Sequence, residues 1–365
     1  HPEIELLITQ DADEIAYPDL AKAIVGYFQN PKVAYVQTIK QSVTTSEDPF
    51  GNQDRLFYCR TSACRDSDNA MFSCGSGVMW RIQAVDNVGG FDTWNLVEDL
   101  TTSYNILAKG WESRFHYESL SHGVAPEDLP NFIKQRGTWA LDTMRLFWWD
   151  NPLTKSGLTL KQRLQFLEPC MFYLNGFVTV GMIIVTSLSL WFRSWPTTAS
   201  AWEHGLVLLP YFLSMESYFL VLAGNIPFFR VRQLWVGLAP IYVWASILAL
   251  VYGPNKKPRY KVTRKDNQYS NYIYMVWPQL ILLSMLVLAL GKTLILTPLY
   301  SAFDWGALFW GIYLSSFLIQ IIKLSWWSWT PVYEIDVSII NSKVFPWTKA
   351  KAMLEEITPL TINKD

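Results

Sequence analysis

The chain has 365 residues, half of them apolar, and its 30 basic side chains against 31 acidic ones leave a formal net charge of -1. That balance offers no basic surface for nucleic acid and no acidic tail. The cysteines Cys59, Cys64, Cys74 and Cys170 show no paired CxxC spacing for a metal and are too few for a disulfide scaffold, so free thiols in a reducing compartment are expected.

His1 leads straight into the strand-like run IELLITQ, so an N-terminal part of the same domain is expected to precede it, and no signal peptide is visible. Asp11-Ala12-Asp13 follows at the strand end. Taken alone, the triplet could be an acidic turn or a grip on a metal ion, and because Asp-x-Asp arises often by chance the turn is the more ordinary reading. YPDLAKAIVGYFQ has a helix-start proline and helical apolar spacing, VAYVQT reads as a strand, and residues 50 to 66 look helical. FSCGSGVMWR forms a glycine-bearing loop running into a strand. GGFDTWNLVEDLTTSYNILAKGW gives a turn and then an amphipathic helix, with Glu98 and Asp99 near its N-terminus. Acidic residues there also stabilise a helix by charge-dipole interaction, so the pair need not be chemical. Alternating strands and helices predict an α/β domain whose ligands gather at the C-terminal ends of strands, where the acidic triplet lies.

Beyond about residue 150 the composition changes to long uncharged runs. Four of them, about 171 to 191, 206 to 224, 271 to 290 and 305 to 322, are long enough to cross a bilayer as helices. A fifth stretch, QLWVGLAPIYVWASILALVYG, is followed at once by the basic segment NKKPRYKVTRK, which favours the cytoplasmic side. If the α/β domain is also cytoplasmic, an even number of crossings separates the two. Residues 233 to 252 are therefore expected to lie in the interface or to be re-entrant. Glu216 falls inside a spanning segment, where a carboxylate is costly and faces a polar cavity or a partner. The 18 tryptophans suit an interfacial belt or flat faces for sugar rings.

In order, the chain carries DAD, FSCGSG, NLVED, QRGTW and YKVTRK. This series resembles the processive family 2 glycosyltransferases, bacterial cellulose synthase catalytic subunits being the nearest kind, which show an Asp-x-Asp, an FCGS-like loop, a Thr-Glu-Asp triplet, a QxxRW motif and an FxVTxK gating loop. The resemblance implies a Rossmann-like glycosyltransferase A domain, here the C-terminal portion, over residues 1–150. A membrane channel region follows over 151–323, with interfacial helices at about 130 to 168 and 230 to 252, four transmembrane helices and a gating loop at 254–266. A cytoplasmic tail covers 324–365.

By the same resemblance Asp11 and Asp13 hold Mg2+ or Mn2+ on the diphosphate of a nucleotide sugar, and Asp99 is the general base, which implies inversion at the anomeric carbon. Substrate contacts fall to Glu98, to Cys74, Gly75 and Ser76, to Gln135, Arg136 and Trp139, and to Tyr260, Val262, Thr263 and Lys265 of the flap. The implied activity is polymerisation of a β-glucan from UDP-glucose onto a growing polysaccharide, with possible accessory subunits, at the inner (plasma) membrane. The sequence departs from the pattern at Val97, in place of the triplet's threonine, and at Thr138, in place of the QxxRW arginine. A threonine hydroxyl cannot replace a bidentate guanidinium, although Arg136 stands nearby. On residues alone, FSCGSG could be a tight turn and the basic loop a stop-transfer cluster. The nucleotide-binding half that such enzymes carry is expected before residue 1. The tail lacks the RxxxR signature of a cyclic di-GMP-binding PilZ domain. Other-polymer or non-processive transferases, and a silent membrane subunit, remain as rivals.

Overall fold

The computed structural model describes residues 3–44, 48–52, 54, 56–126, 128–194, 198, 200–223, 228–256, 271–296 and 302–326. The flap residues Tyr260, Val262, Thr263 and Lys265, and the tail from 327 onward, lie outside them.

The first half is built on a five-stranded mixed sheet. Its strands are β1 (Leu6–Thr9), β2 (Glu14–Ala16), β3 (Val33–Val43), β4 (Val78–Arg81) and β5 (Glu112–Val124), in the order β1-β4-β3-β5-β2. Between them run the short helices α1 (Leu20–Ile24), α2 (Ser62–Ser67) and α3 (Ile82–Asp86), and the longer α4 (Glu98–Ala108). Only β3 and β5 are paired in parallel; the other ladders are antiparallel. Because β4 runs against both its neighbours, β1 and β3 point the same way. Thr9 is level with Val78, and Val78 with Gln37. The residues just beyond Thr9, just before Val78 and just after Gln37 therefore share one edge of the sheet. Tyr35, Val78 and Trp80 on one side, and Ile24, Val36 and Met79 on the other, close two cores that fix this edge.

The second half is helical: α5 (Leu129–Trp149), α6 (Leu160–Phe192), α7 (Ala201–Ala223), α8 (Phe228–Gly237), α9 (Ala239–Tyr252), α10 (Trp277–Leu296) and α11 (Ala302–Trp326). Asp128 caps α5 by accepting the Asn131 N–H at 2.8 Å, and Thr159 with Gln162 forms a capping box on α6. At 33 residues α6 is roughly 50 Å long, longer than a bilayer core. Residues 160–168, expected in the interface, are its first turns, and the helix continues through Pro169.

Among the described residues, four helices are long and apolar enough to cross a membrane: Leu160–Phe192, Gly205–Leu222, Ile273–Leu296 and Asp304–Trp326. They coincide with the four sequence-predicted spans. The fifth stretch is a helix pair, Phe229–Gly237 and Ala239–Tyr252, bent by 47°, as a broken span or a re-entrant segment would be. Glu216 of α7 meets Arg232 of α8 through paired bonds of 2.6 and 2.7 Å and accepts the Tyr313 hydroxyl at 3.2 Å. This satisfies its charge at membrane depth.

The two halves are joined in several places. Phe50 packs with α5, α8 and α9 in one core cluster. Arg65, fully buried, donates to the Gln165 carbonyl at 2.7 Å and to Glu168 at 2.6 Å across to α6. At Gly157, φ is +85° and an added Cβ would lie 1.8 Å from the Ala108 carbonyl oxygen at the end of α4. Since backbone must move to admit a methyl there, Gly157→Ala is expected to cost about 3 kcal/mol or more. Gly181→Ala on α6, where an added Cβ meets nothing within 4 Å, should be near neutral. Paired thermal unfolding of the detergent-solubilised variants reads the difference.

Candidate active site

The shared sheet edge assembles three sequence-predicted segments. Beyond β1, Asp11 and Asp13 are exposed, while Glu14, which opens β2, is buried. Before β4 lies the Cys74–Gly77 loop. The Asp11 N–H donates to Ser76 Oγ at 3.0 Å, and Ser76 in turn donates to Glu14 Oε2. On β3, Lys40 Nζ lies 2.8 Å from Asp11 Oδ2 and 2.6 Å from Glu14 Oε1. Burial works against the lysine's charge, but Glu14 and Asp11 outweigh it and hold the ammonium above its ordinary range. Gln10 braces the same corner, donating to Glu14 Oε2 and accepting the Gly77 N–H, each at 3.2 Å.

The FSCGSG loop is shaped by β3. Gln37 accepts the Cys74 N–H at 2.7 Å and donates to the Ser76 carbonyl at 2.9 Å. The loop backbone turns through positive φ at Gly75, where an added Cβ would sit 2.9 Å from Asp99 Oδ2. Glycine is needed here for closeness to a carboxylate as well as for the turn. Asp99 thus lies directly behind the loop, on the first turn of α4. Its Oδ1 accepts the Leu100 N–H at 2.7 Å. Burial, then the like charge of Glu98, push the carboxyl up to about 7, with Asp11 adding to the shift and Lys40 opposing it. Cys74 is pushed up to about 12 by burial and by Asp99, so its thiol stays neutral and is no nucleophile.

The QRGTW residues lie on α5. Gln135 and Trp139 are half-buried, and the Arg136 guanidinium stacks 4.7 Å from the Trp139 ring centre. The same Arg136 bonds both carboxylate oxygens of Asp54, at 3.1 and 3.2 Å. Thr138 turns its hydroxyl back to the Lys134 carbonyl at 2.9 Å. The cation nearest the missing motif arginine is therefore engaged elsewhere.

Sequence reasoning missed four residues. Glu14 and Lys40 were hidden because the triplet drew attention to Asp11 and Asp13 alone, and a lysine in a strand carries no signal. Asp142 and Arg145, both fully buried on α5, betray themselves only as charges on an apolar helix face. Asp142 accepts the Val97 N–H at 2.6 Å, and Arg145 donates at 2.8 Å to both the Trp94 carbonyl and Asn95 Oδ1. Together they fix the turn that presents Glu98 and Asp99.

As for a metal, no group of three or more His, Cys, Asp or Glu side chains is arranged to hold one among the described residues. Two exposed aspartates of hard oxygen donors, with a cation already against one of them, nevertheless fit a divalent ion that takes its remaining ligands from a diphosphate and water.

The family described as glycosyltransferase like family 2 matches residues 5–141, which span the whole sheet edge and the QRGTW segment. Over residues 5–141 the chain is thus similar to family 2 glycosyltransferases. Among curated relatives, a cellulose synthase 1 catalytic subunit (UDP-forming) of Komagataeibacter xylinus is 32% identical over 222 residues, 58% of this chain and 30% of that protein. A cellulose synthase catalytic subunit (UDP-forming) of Pseudomonas fluorescens is 25% identical over 302 residues, 79% of this chain and 40% of the relative. The chain thus spans less than half the length of these relatives. A solved mannosyltransferase of Pyrobaculum calidifontis, in complex with GDP-Man and Mn2+, superposes with a TM-score of 0.45 at 15% identity, covering 67% of this chain and 62% of that one.

The electrostatics of Asp99 are directly measurable. Because its carboxyl is raised to about 7, the protonated form should persist at mildly acidic pH and disappear as pH rises through neutrality. Infrared titration of the carboxyl band, assigned by its loss in Asp99→Asn, should place the midpoint there. Glu98→Gln, which removes a like charge, should move that midpoint down; no movement would show that burial alone sets it.

Proposed function

We propose that this chain is the catalytic and membrane portion of an inverting, processive glycosyltransferase that polymerises a β-glucan from UDP-glucose and passes it across the membrane. The observation that carries this reading is the convergence of the Asp11 turn, the Cys74–Gly77 loop and Asp99 on one sheet edge. Asp99 has the two properties of a general base working near neutrality: burial and the like charge of Glu98 push its carboxyl up to about 7, and no cation is paired directly with it among the described bonds. It takes the proton from the acceptor hydroxyl as that oxygen attacks the anomeric carbon and the nucleoside diphosphate leaves. A single displacement of this kind inverts the anomeric configuration.

Asp11 and Asp13 would hold Mg2+ or Mn2+, which supplies neutralisation of the charge developing on the diphosphate. Gly75 and Ser76 are read as part of the acceptor site beside Asp99, and Trp139 on α5 as offering a sugar ring a stacking face. Glu98, Cys74, Gln135 and Arg136 line the approaches. The basic loop with Tyr260, Val262, Thr263 and Lys265 is read as the flap over the nucleotide. UDP as the leaving group is supported by the naming of the relatives as UDP-forming, and membrane translocation by the four apolar helices that follow the domain. The catalytic domain and the basic loop are read as sharing the cytoplasmic face of the inner membrane, a side favoured by the loop's basic charge, with an even number of crossings between them.

A second reading, a silent membrane subunit guiding polymer made by a partner, draws on one observation. Thr138 stands where the motif has arginine, and Asp54 holds Arg136 away from that role.

Membranes carrying the full-length protein, incubated separately with labelled UDP-glucose, UDP-N-acetylglucosamine and GDP-mannose, decide between them. Incorporation into a long β-glucan from UDP-glucose alone is expected. It should fall about a thousandfold in Asp99→Asn and comparably in Asp11→Asn. A one-sugar product identifies a non-processive enzyme. Incorporation from none of the donors identifies the silent subunit, and undiminished incorporation in Asp99→Asn removes it as the base.

A further inference from the structure

Lys40 has no counterpart among the motif residues, yet its Nζ is shared between Asp11 Oδ2 at 2.8 Å and Glu14 Oε1 at 2.6 Å. The two carboxylates differ in freedom. Asp11 is half exposed, whereas the Glu14 side chain is 1% exposed and its second oxygen is held by Ser76 and Gln10. Glu14 is therefore locked in place and cannot turn to join the aspartates as a third metal ligand, consistent with the lack of a three-residue metal cluster among the described residues.

A divalent ion on Asp11 would stand within a few ångströms of the ammonium if Lys40 stayed where it is. Two such cations repel strongly at that range in a partly buried site. The lysine has a short retreat, because Glu14 already holds it by the closer of its two contacts. We propose that Lys40 is a place-holding cation, which neutralises Asp11 before the divalent metal binds and withdraws onto Glu14 when the metal takes Asp11 over. No proton moves in this exchange: Asp11 passes from one cation to another, and Glu14 keeps the lysine. The device rests on the reading of Asp11 as a metal ligand, and makes Lys40 and Glu14 positioning residues. It also neutralises Asp11 and Glu14, which would otherwise face each other as like charges while the metal is absent.

The exchange makes the two partners act on metal affinity with opposite signs, which a merely structural ion pair does not. The full-length protein in nanodiscs is titrated with Mn2+ at fixed pH, with free Mn2+ read by electron paramagnetic resonance, first without nucleotide and then with UDP. Lys40→Met removes the competitor and should tighten Mn2+ binding about tenfold without nucleotide. Glu14→Gln removes the retreat, leaves Lys40 wholly on Asp11, and should weaken binding by about the same factor. Lys40→Arg should stay close to the unaltered protein. Should Lys40→Met fail to fold by circular dichroism, Lys40→Gln, which keeps a donor to Glu14, answers the same question. Shifts of the same sign in Lys40→Met and Glu14→Gln, or none in Lys40→Met, overturn the proposal. Asp11→Asn in the same titration separates the two levels. Loss of tight Mn2+ binding keeps the metal reading whatever Lys40 does, and unaltered binding removes that reading and this exchange with it.

Discussion

Like charge at one edge of the sheet is the constraint on which the rest of the structure depends. The ends of β1 and β3 and the start of β4 bring Asp11, Glu14 and, through Gly75, Asp99 into one neighbourhood. Carboxylates taken partly out of water must be paired, hydrogen-bonded or protonated. The structure uses all three solutions at once. Glu14 is paired and bonded, by Lys40, Ser76 and Gln10. Asp11 stays at the surface with half a share of the same lysine. Among the described residues Asp99 receives only the Leu100 N–H, and its proton affinity rises instead. Three acidic side chains of similar chemistry thereby acquire three different properties from position alone: a buried brace, an exposed carboxylate sharing one lysine, and a carboxyl whose proton affinity is raised.

Much of this frame was legible in the residues. The strand before Asp11, the glycine loop into β4 and the helix opening at Glu98 all fell where periodicity and turn chemistry put them, because each is a local pattern of apolar spacing and punctuation. The four apolar helices were equally plain, since bilayer thickness writes itself into run length. For the fifth stretch a topological argument led to an interfacial or re-entrant segment, and the structure shows a helix pair bent by 47°, a shape that suits a broken span as well as a re-entrant one. What stayed hidden was whatever depends on strand order. Alternating strands and helices suggested nothing about β4 running antiparallel between β1 and β3, which sets Ser76 against Asp11, or about β5 lying between β3 and β2, which sets Lys40 against Glu14. Likewise the first turns of α6, polar enough to read as interfacial, belong to one continuous helix because the capping box at Thr159 starts it there.

The departures from the family pattern are not equivalent. At Val97 the position is used through its backbone, whose N–H is held by Asp142 at 2.6 Å, so loss of the threonine side chain leaves the presentation of Asp99 intact. At Thr138 a side-chain function is lost outright, and Arg136 cannot serve in its place while both oxygens of Asp54 bind it. That pairing has its own logic. A guanidinium buried beside Phe132 and Trp139 without a counter-ion would be costly, and Asp54 with the aromatic faces removes the cost while holding Trp139 in a fixed attitude. Positive charge near the site is thus spent on orienting an aromatic ring rather than on binding an anion.

Helix α5 gives the domain its connection to the membrane part. Its first half packs against α8 and α9 in a common core, and its second half carries Asp142 and Arg145 to the turn before α4. Arg145 does more than brace that turn, because its second terminal nitrogen donates to the carbonyls of Gly253 and Lys256, at 3.1 and 3.3 Å. One buried guanidinium therefore fastens the segment presenting Asp99 and the segment leaving α9 towards the basic loop. Any displacement of α9 relative to the sheet must either break these bonds, leaving a buried charge unsatisfied, or carry the Glu98–Asp99 turn along with it. The second course is the less costly. Mechanical continuity between α9 and the Glu98–Asp99 turn follows from that inequality.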